Sequence, residues 1–189
     1  MNLPNKLTIA RVIAVPFYVA FMLISGIPYN YLWALILFGA ASITDMIDGK
    51  IARKNNLVTD LGKFLDPLAD KVLVSAALIC MVELGWTASY LVIIIICREF
   101  IVSALRLAAA SSNDHTVIAA GIWGKLKTAF TMGAIAVMTL LHILLDNFAL
   151  LDASFPVGLI SDVLMWISTV LTVISGVIYI VSYKHLLKG

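Results

Sequence analysis

Six runs of about 20 mostly apolar residues occupy most of the chain, at about 7–27, 30–49, 64–84, 87–109, 121–145 and 158–182. A helix of that length crosses the roughly 30 Å hydrocarbon layer of a bilayer. It also satisfies its own backbone hydrogen bonds there, which an open sheet edge cannot do. Composition agrees: 62% of the 189 residues are hydrophobic and 13% charged, against about 45–50% and 25% in water-soluble domains. Disordered and collagenous chains are excluded, and two cysteines are too few for a disulfide scaffold. The fold class is therefore an all-α integral membrane protein with six transmembrane helices. The first run is too long to be a cleaved signal peptide. No repeat or linker interrupts the series, so residues 1–189 read as a single membrane domain.

Turn-forming residues mark the ends of the runs: Gly26-Ile27-Pro28, Gly85, the 111–114 cluster and the 152–156 stretch. Cys80 and Cys97 lie inside apolar runs and read as small buried hydrophobes. Trp33 and Trp86 fall near helix ends, where aromatic belts sit. Net charge is only +2, which implies no nucleic-acid partner. The distribution of charge says more. With six spans, all thirteen Lys and Arg fall in or near the N-terminus, the 50–63 loop, the 110–120 loop and the C-terminus. The opposite loops carry Glu83, Asp146 and Asp152, with Asp162 just beyond, and no cation. Basic excess marks the cytoplasmic side, which places both termini there.

The chemistry concentrates between Asp45 and Asp70. On a helix Asp45, Asp48, Gly49 and Ala52 share one face, and so do Gly62, Asp66 and Asp70. Pro67 suits a first helical turn or a kink. The short connection makes the two helices antiparallel neighbours, so their acidic faces can converge near the cytoplasmic surface. Ionisable groups at membrane depth are costly, at least about 2.5–3.5 kcal/mol each, and four carboxylates together need neutralising. Protonation, basic partners or divalent cations would serve. Oxygen ligands without His or Cys favour Mg²⁺, with Mn²⁺ next, over zinc. Four carboxylates suit two such cations about 3.5–4 Å apart, an arrangement that clamps phosphoryl oxygens. Gly49 and Ala52 leave that face free of bulk, and Arg53 adds a fixed-charge phosphate donor. The competing reading makes the acids helix-end charges paired with Lys50, Arg53, Lys54, Lys63 and Lys71. It suffices for one aspartate, but not for four interleaved with two glycines and an alanine.

These residues resemble the signature of the CDP-alcohol phosphotransferase family, D-x-x-D-G-x-x-A-R-x8-G-x3-D-x3-D. All eight positions are met, at Asp45, Asp48, Gly49, Ala52, Arg53, Gly62, Asp66 and Asp70. Asn2 to Thr8 with Arg11, Gly62 to Lys71, Arg98-Glu99 with Leu105-Arg106, and Gly124 to Thr128 resemble the branch whose acceptor is sn-glycerol 3-phosphate. Ala104 replaces an expected Gly there, and Asp60 an expected Asn. The resemblance runs from residue 2 to about 128; beyond that only hydropathy is similar.

The resemblance implies transfer of a phosphatidyl group from CDP-diacylglycerol to glycerol 3-phosphate, yielding phosphatidylglycerophosphate and CMP. It implies two divalent cations held by Asp45, Asp48, Asp66 and Asp70, with Asp66 and Asp70 also catalytic and Asp70 the general base. Asn5, Thr8, Asp48, Gly49, Ala52, Arg53 and Gly62 would border the nucleotide and diphosphate. Helix capping is the plainer account of Asn5 and Thr8. Acceptor phosphate would fall to Arg98, Arg106, Lys125 and Lys127, with Arg106 and Lys125 favoured and Lys127 behind them. The two arginines are about 80° apart on a helix, whereas the two lysines, about 200° apart, cannot both face one pocket. A membrane anchor is the competing role for each lysine, and a structural pair with Glu99 for Arg98. His115, His142 and His185 are scattered and read as structural. The resemblance further implies a multi-pass homodimer in the bacterial cytoplasmic (inner) membrane, with its active site facing the cytoplasm and lipid around it. Other acceptors of the same family (in cardiolipin, phosphatidylinositol-phosphate or phosphatidylserine synthesis) share the signature. A divalent-cation transporter would place its acids near the bilayer midplane in two related halves, a pattern the sequence lacks.

Overall fold

A computed structural model describes the backbone of residues 3–54, 60–111, 121–152 and 154–182, and the side chains of 8–44, 71–106, 121–152 and 154–182. The six apolar runs are six helices: α1 (Leu3–Leu23), α2 (Asn30–Lys54), α3 (Asp60–Glu83), α4 (Ser89–Ser111), α5 (Ile122–His142) and α6 (Val157–Ser182). A π-helical turn, Ile143–Asn147, continues α5. Among the described residues there is no strand. Two helical stretches, Ile122–Asn147 and Val157–Ser182, are long and apolar enough to cross a bilayer; Thr8–Leu23 and Asn30–Thr44 are shorter apolar stretches.

Several boundaries differ from those predicted, each for a local reason. α1 stops at Leu23, short of 27, because Ser25 and Gly26 are weak helix formers, although Ile24 and Ile27 keep the hydropathy high. α2 runs on to Lys54 and α3 already starts at Asp60. Residues 50–54 contain no breaker, and an acidic type at a helix start complements its dipole. Pro67 therefore falls in the interior of α3 rather than in its first turn. Asn5 and Thr8 likewise lie within α1, so neither caps it. Gly85 closes α3 with φ +72°, a left-handed conformation glycine adopts without strain.

The chain divides into two compact units, Met1–Leu84 with Ile135–Val157, and Gly85–Ala134 with Gly158–Gly189. In the first unit α1 packs along both α2 and α3. Tyr18 and Met22 of α1, Ala34 and Phe38 of α2, and Ala77, Leu78 and Met81 of α3 form its core. The Tyr18 and Phe38 rings lie 6.0 Å apart. Cys80 is buried here, as expected. The end of this unit that holds the α1–α2 turn is pinned by ring contact between Tyr29 and Phe148 (5.5 Å) and by Asn147 Nδ2 donating to Asn30 Oδ1 (3.2 Å). That contact accompanies a positive φ of 53° at Tyr29, unusual for a residue with a side chain. His142 bonds Asp146 at 3.0 Å, a local structural role. Trp33 faces outward.

In the second unit the pairs Tyr90–Trp166, Arg98–Ser175 and Arg106–Tyr179 advance together along α4 and α6, so these helices run parallel. Thr131 bonds Ser168 at 2.6 Å, and Gly124 lies beside Tyr179, so α5 runs opposite to α6. Cys97 is exposed on α4, not buried as its apolar surroundings predicted, because it lies on an outward face with Ile93, Ile94, Phe100 and Ile101. Trp86 is buried in this unit.

α6 has an inverted polarity. Ser161, Ser168, Thr172 and Ser175 are 0% exposed, whereas Leu159 and Val181 are 65% and Val177 is 55% exposed. A helix in water buries the opposite set. Small hydroxyl residues turned inward allow close helix approach and interhelical hydrogen bonds, the packing that lipid favours. Other hydroxyls bond back to their own helix, as Thr169 does to the Met165 carbonyl (2.8 Å).

Candidate functional site

The helix bounds extend the acidic signature along two continuous helices. Asp45, Asp48, Gly49 and Ala52 lie in the C-terminal half of α2, with Arg53 next to its end. Gly62, Asp66 and Asp70 lie in the N-terminal half of α3. In an uninterrupted helix the offsets 3, 4 and 7, and 4 and 8, keep each set in one register. Only residues 55–59 separate the two helices. The side chains of these eight residues, and that of Asn5, lie outside the described residues. In the same unit Thr8 and Arg11 of α1 are buried, at 1% and 4% exposure. An arginine buried in an apolar helix is costly and calls for polar partners.

The second unit gathers the cations. Arg98 donates from Nη1 to Glu99 Oε1 at 2.8 Å and from Nη2 to Ser175 Oγ at 2.6 Å. Lys127, buried on α5, donates to the same Glu99 oxygen. Arg106 donates from Nη2 to Tyr179 Oη. Both guanidiniums also stand against the Tyr179 ring, with Cζ 5.6 Å (Arg98) and 4.9 Å (Arg106) from its centroid. Three helices thus supply one cluster of three cations and one carboxylate, leaving two net positive charges. The roughly 80° offset on α4 is narrow enough for Arg98 and Arg106 to reach a common ring. The roughly 200° offset on α5 separates its lysines: Lys127 joins the cluster and Lys125 is exposed.

Glu99, Ser175 and Tyr179 were not among the predicted site residues. Glu99 was legible only as a neighbour of Arg98. Tyr179 and Ser175 continue the inward stripe Ser161, Ser168, Thr172 on α6, so spacing of polar residues within that apolar run was the available signal.

Helices among the described residues, two helical stretches long and apolar enough for a bilayer, and an eight-position signature with four aspartates over two successive helices are the marks of a membrane-type transferase. The sequence model described as CDP-alcohol phosphatidyltransferase matches residues 1–174, and the chain belongs to that family. Among curated relatives, the CDP-diacylglycerol–glycerol-3-phosphate 3-phosphatidyltransferase of Bacillus subtilis is 43% identical over 186 residues, covering 93% of this chain and 91% of the relative. The protein of the same name from Rickettsia bellii is 37% identical over 183 residues (97% and 96%). That of Escherichia coli K12 is 39% identical over 139 residues (71% and 75%).

Proposed function

We propose that the protein transfers the phosphatidyl group of CDP-diacylglycerol to sn-glycerol 3-phosphate, releasing CMP and forming phosphatidylglycerophosphate. The observation that carries the acceptor assignment is the cluster on α4, α5 and α6. Its two net positive charges match a phosphate monoester, which carries about −1.5 to −2 at neutral pH. Arg106 is exposed and commits one of its five N–H donors to Tyr179, leaving its guanidinium fork able to take oxyanions in pairs. Arg98 and Lys127 are more enclosed and set the local charge, while exposed Lys125 draws the anion in. Similarity over most of the chain to relatives named for this reaction, at 43% and 37% identity, supports the same reading.

The donor falls to the first unit. Asp45, Asp48, Asp66 and Asp70 form an all-carboxylate set without His or Cys, the donor chemistry of a magnesium-type site. Two such cations, when bound, would neutralise the diphosphate and its transferring phosphoryl group. Gly49, Ala52 and Gly62 keep the approach to the helix backbones open, Arg53 offers a guanidinium to the diphosphate, and Asn5 and Thr8 border the nucleotide. In the reaction the acceptor hydroxyl oxygen bonds to the phosphatidyl phosphorus, the bond from that phosphorus to CMP breaks, and Asp70 takes the hydroxyl proton. No protein nucleophile is needed.

The membrane placement belongs to the same proposal: six spans, both termini and the site on the cytoplasmic face of a bacterial cytoplasmic membrane. Each of the six helices has 21 to 26 residues, enough for a bilayer. Outward-facing Ile13 and Phe17 in one unit, and Ile93 and Val177 in the other, suit lipid rather than water. Purified protein given CDP-diacylglycerol, Mg²⁺ and glycerol 3-phosphate is expected to release CMP. Release with inositol phosphate or serine but not with glycerol 3-phosphate would overturn the acceptor assignment.

A further inference from the structure

The family match ends at residue 174, yet two side chains beyond it, Ser175 and Tyr179, contact the arginines of the cationic cluster. They are one helical turn apart on α6 and face the same way. Tyr179 is buried, at 5% exposure. Its ring is backed from α5, where a Cβ on Gly124 would stand 3.5 Å from Tyr179 Cε2. Against that fixed ring stand the Arg98 and Arg106 guanidiniums, and the Tyr179 oxygen accepts a hydrogen bond from Arg106. The Arg98 stem crosses α6 at Gly176, where a Cβ would come within 3.0 Å of Arg98 Cγ. Its head is then held by Ser175 and Glu99.

Arg98 and Arg106 are eight residues apart on α4, and like charges brought to one place repel. An unrestrained arginine also has many rotamers to lose when it binds an anion. A buried aromatic ring answers both problems, since its negative face attracts each guanidinium and its rigidity sets where they stand. The hydroxyl then fixes the rotation of Arg106 and leaves the remaining N–H groups aimed elsewhere.

We infer that Tyr179 is a positioning residue for the acceptor: it holds Arg106 and Arg98 in the arrangement that receives the phosphate of glycerol 3-phosphate and touches no reacting atom itself. This rests on the acceptor assignment above. It adds the end of α6, a segment outside the family match, to the determinants of acceptor affinity.

Steady-state kinetics of the full chain in lipid–detergent micelles tests it, with CMP release followed against each substrate in turn. Tyr179→Phe keeps the ring and loses the hydroxyl; it is expected to raise the glycerol 3-phosphate KM about tenfold, the size of one lost charge-assisted hydrogen bond. kcat and the CDP-diacylglycerol KM should stay within about twofold. Tyr179→Leu loses the ring as well and should raise the acceptor KM further, while Tyr179→Trp, which keeps a cation-binding face, should fall between Leu and the parent. A glycerol 3-phosphate KM unchanged in Tyr179→Phe would overturn the inference. So would a rise in both substrates' KM together with a lowered unfolding temperature, which marks a packing role alone. If the unmodified protein shows no glycerol 3-phosphate-dependent release, the acceptor assignment fails instead, and the two failures are told apart by that control.

Discussion

Glu99 carries an unusual load for one side chain, because the same carboxylate oxygen accepts hydrogen bonds from Arg98 and Lys127. Its side chain is 19% exposed and that of Lys127 only 4%, so the pair is largely shielded from solvent. Removing one member of such a pair leaves a buried charge without compensation, at a cost of about 3–5 kcal/mol when burial is complete. Glu99→Ala should therefore lower the unfolding temperature of the purified protein, whereas Glu99→Gln, which retains an acceptor oxygen, should lower it less. Equal and negligible shifts would show that Lys127 does not depend on Glu99. At this scale the sequence was informative where helical spacing alone sets a residue's position. Aspartates three and four residues apart, and arginines eight apart, are spacings that a regular helix sets in one register. Glu99 and Tyr179 were not legible that way, because their roles arise from contacts across three helices.

Helices as elements were readable from hydropathy, and their faces were not. A window of about 20 residues averages the inward and outward sides, so the α6 run has uniformly high hydropathy that masks its Ser161–Ser168–Thr172–Ser175 stripe. The π-helical continuation of α5 and the extension of α2 to Lys54 likewise depend on local backbone bonding rather than on apolar content. The inverted polarity of α6 makes a sharp prediction. Val170 is half exposed near the middle of that helix. Lysine there would be harmless on a helix facing water, but costs about 2.5–3.5 kcal/mol at the centre of a membrane span. Val170→Lys should sharply reduce the protein recovered in the membrane fraction, while Val170→Leu should not. Equal recovery of the two variants would argue against lipid on that face.

For the whole molecule, the proposal assigns the nucleotide-activated lipid to the first unit, which holds the aspartate signature, and the phosphorylated acceptor to the second, which holds the cation cluster. The sequence disclosed this division in part: the signature and the basic residues stood in separate stretches of chain, while the partners that organise the cations did not announce themselves. The central claim is that carboxylates on α2 and α3 act with divalent cations to move a phosphatidyl group. CMP release from CDP-diacylglycerol, with glycerol 3-phosphate supplied and metal removed and restored, tests it most directly. Release should cease with a chelator, return on adding Mg²⁺, and be absent from a folded Asp66→Asn variant at every metal concentration. Undiminished release in the chelator, or full activity in Asp66→Asn, would contradict it.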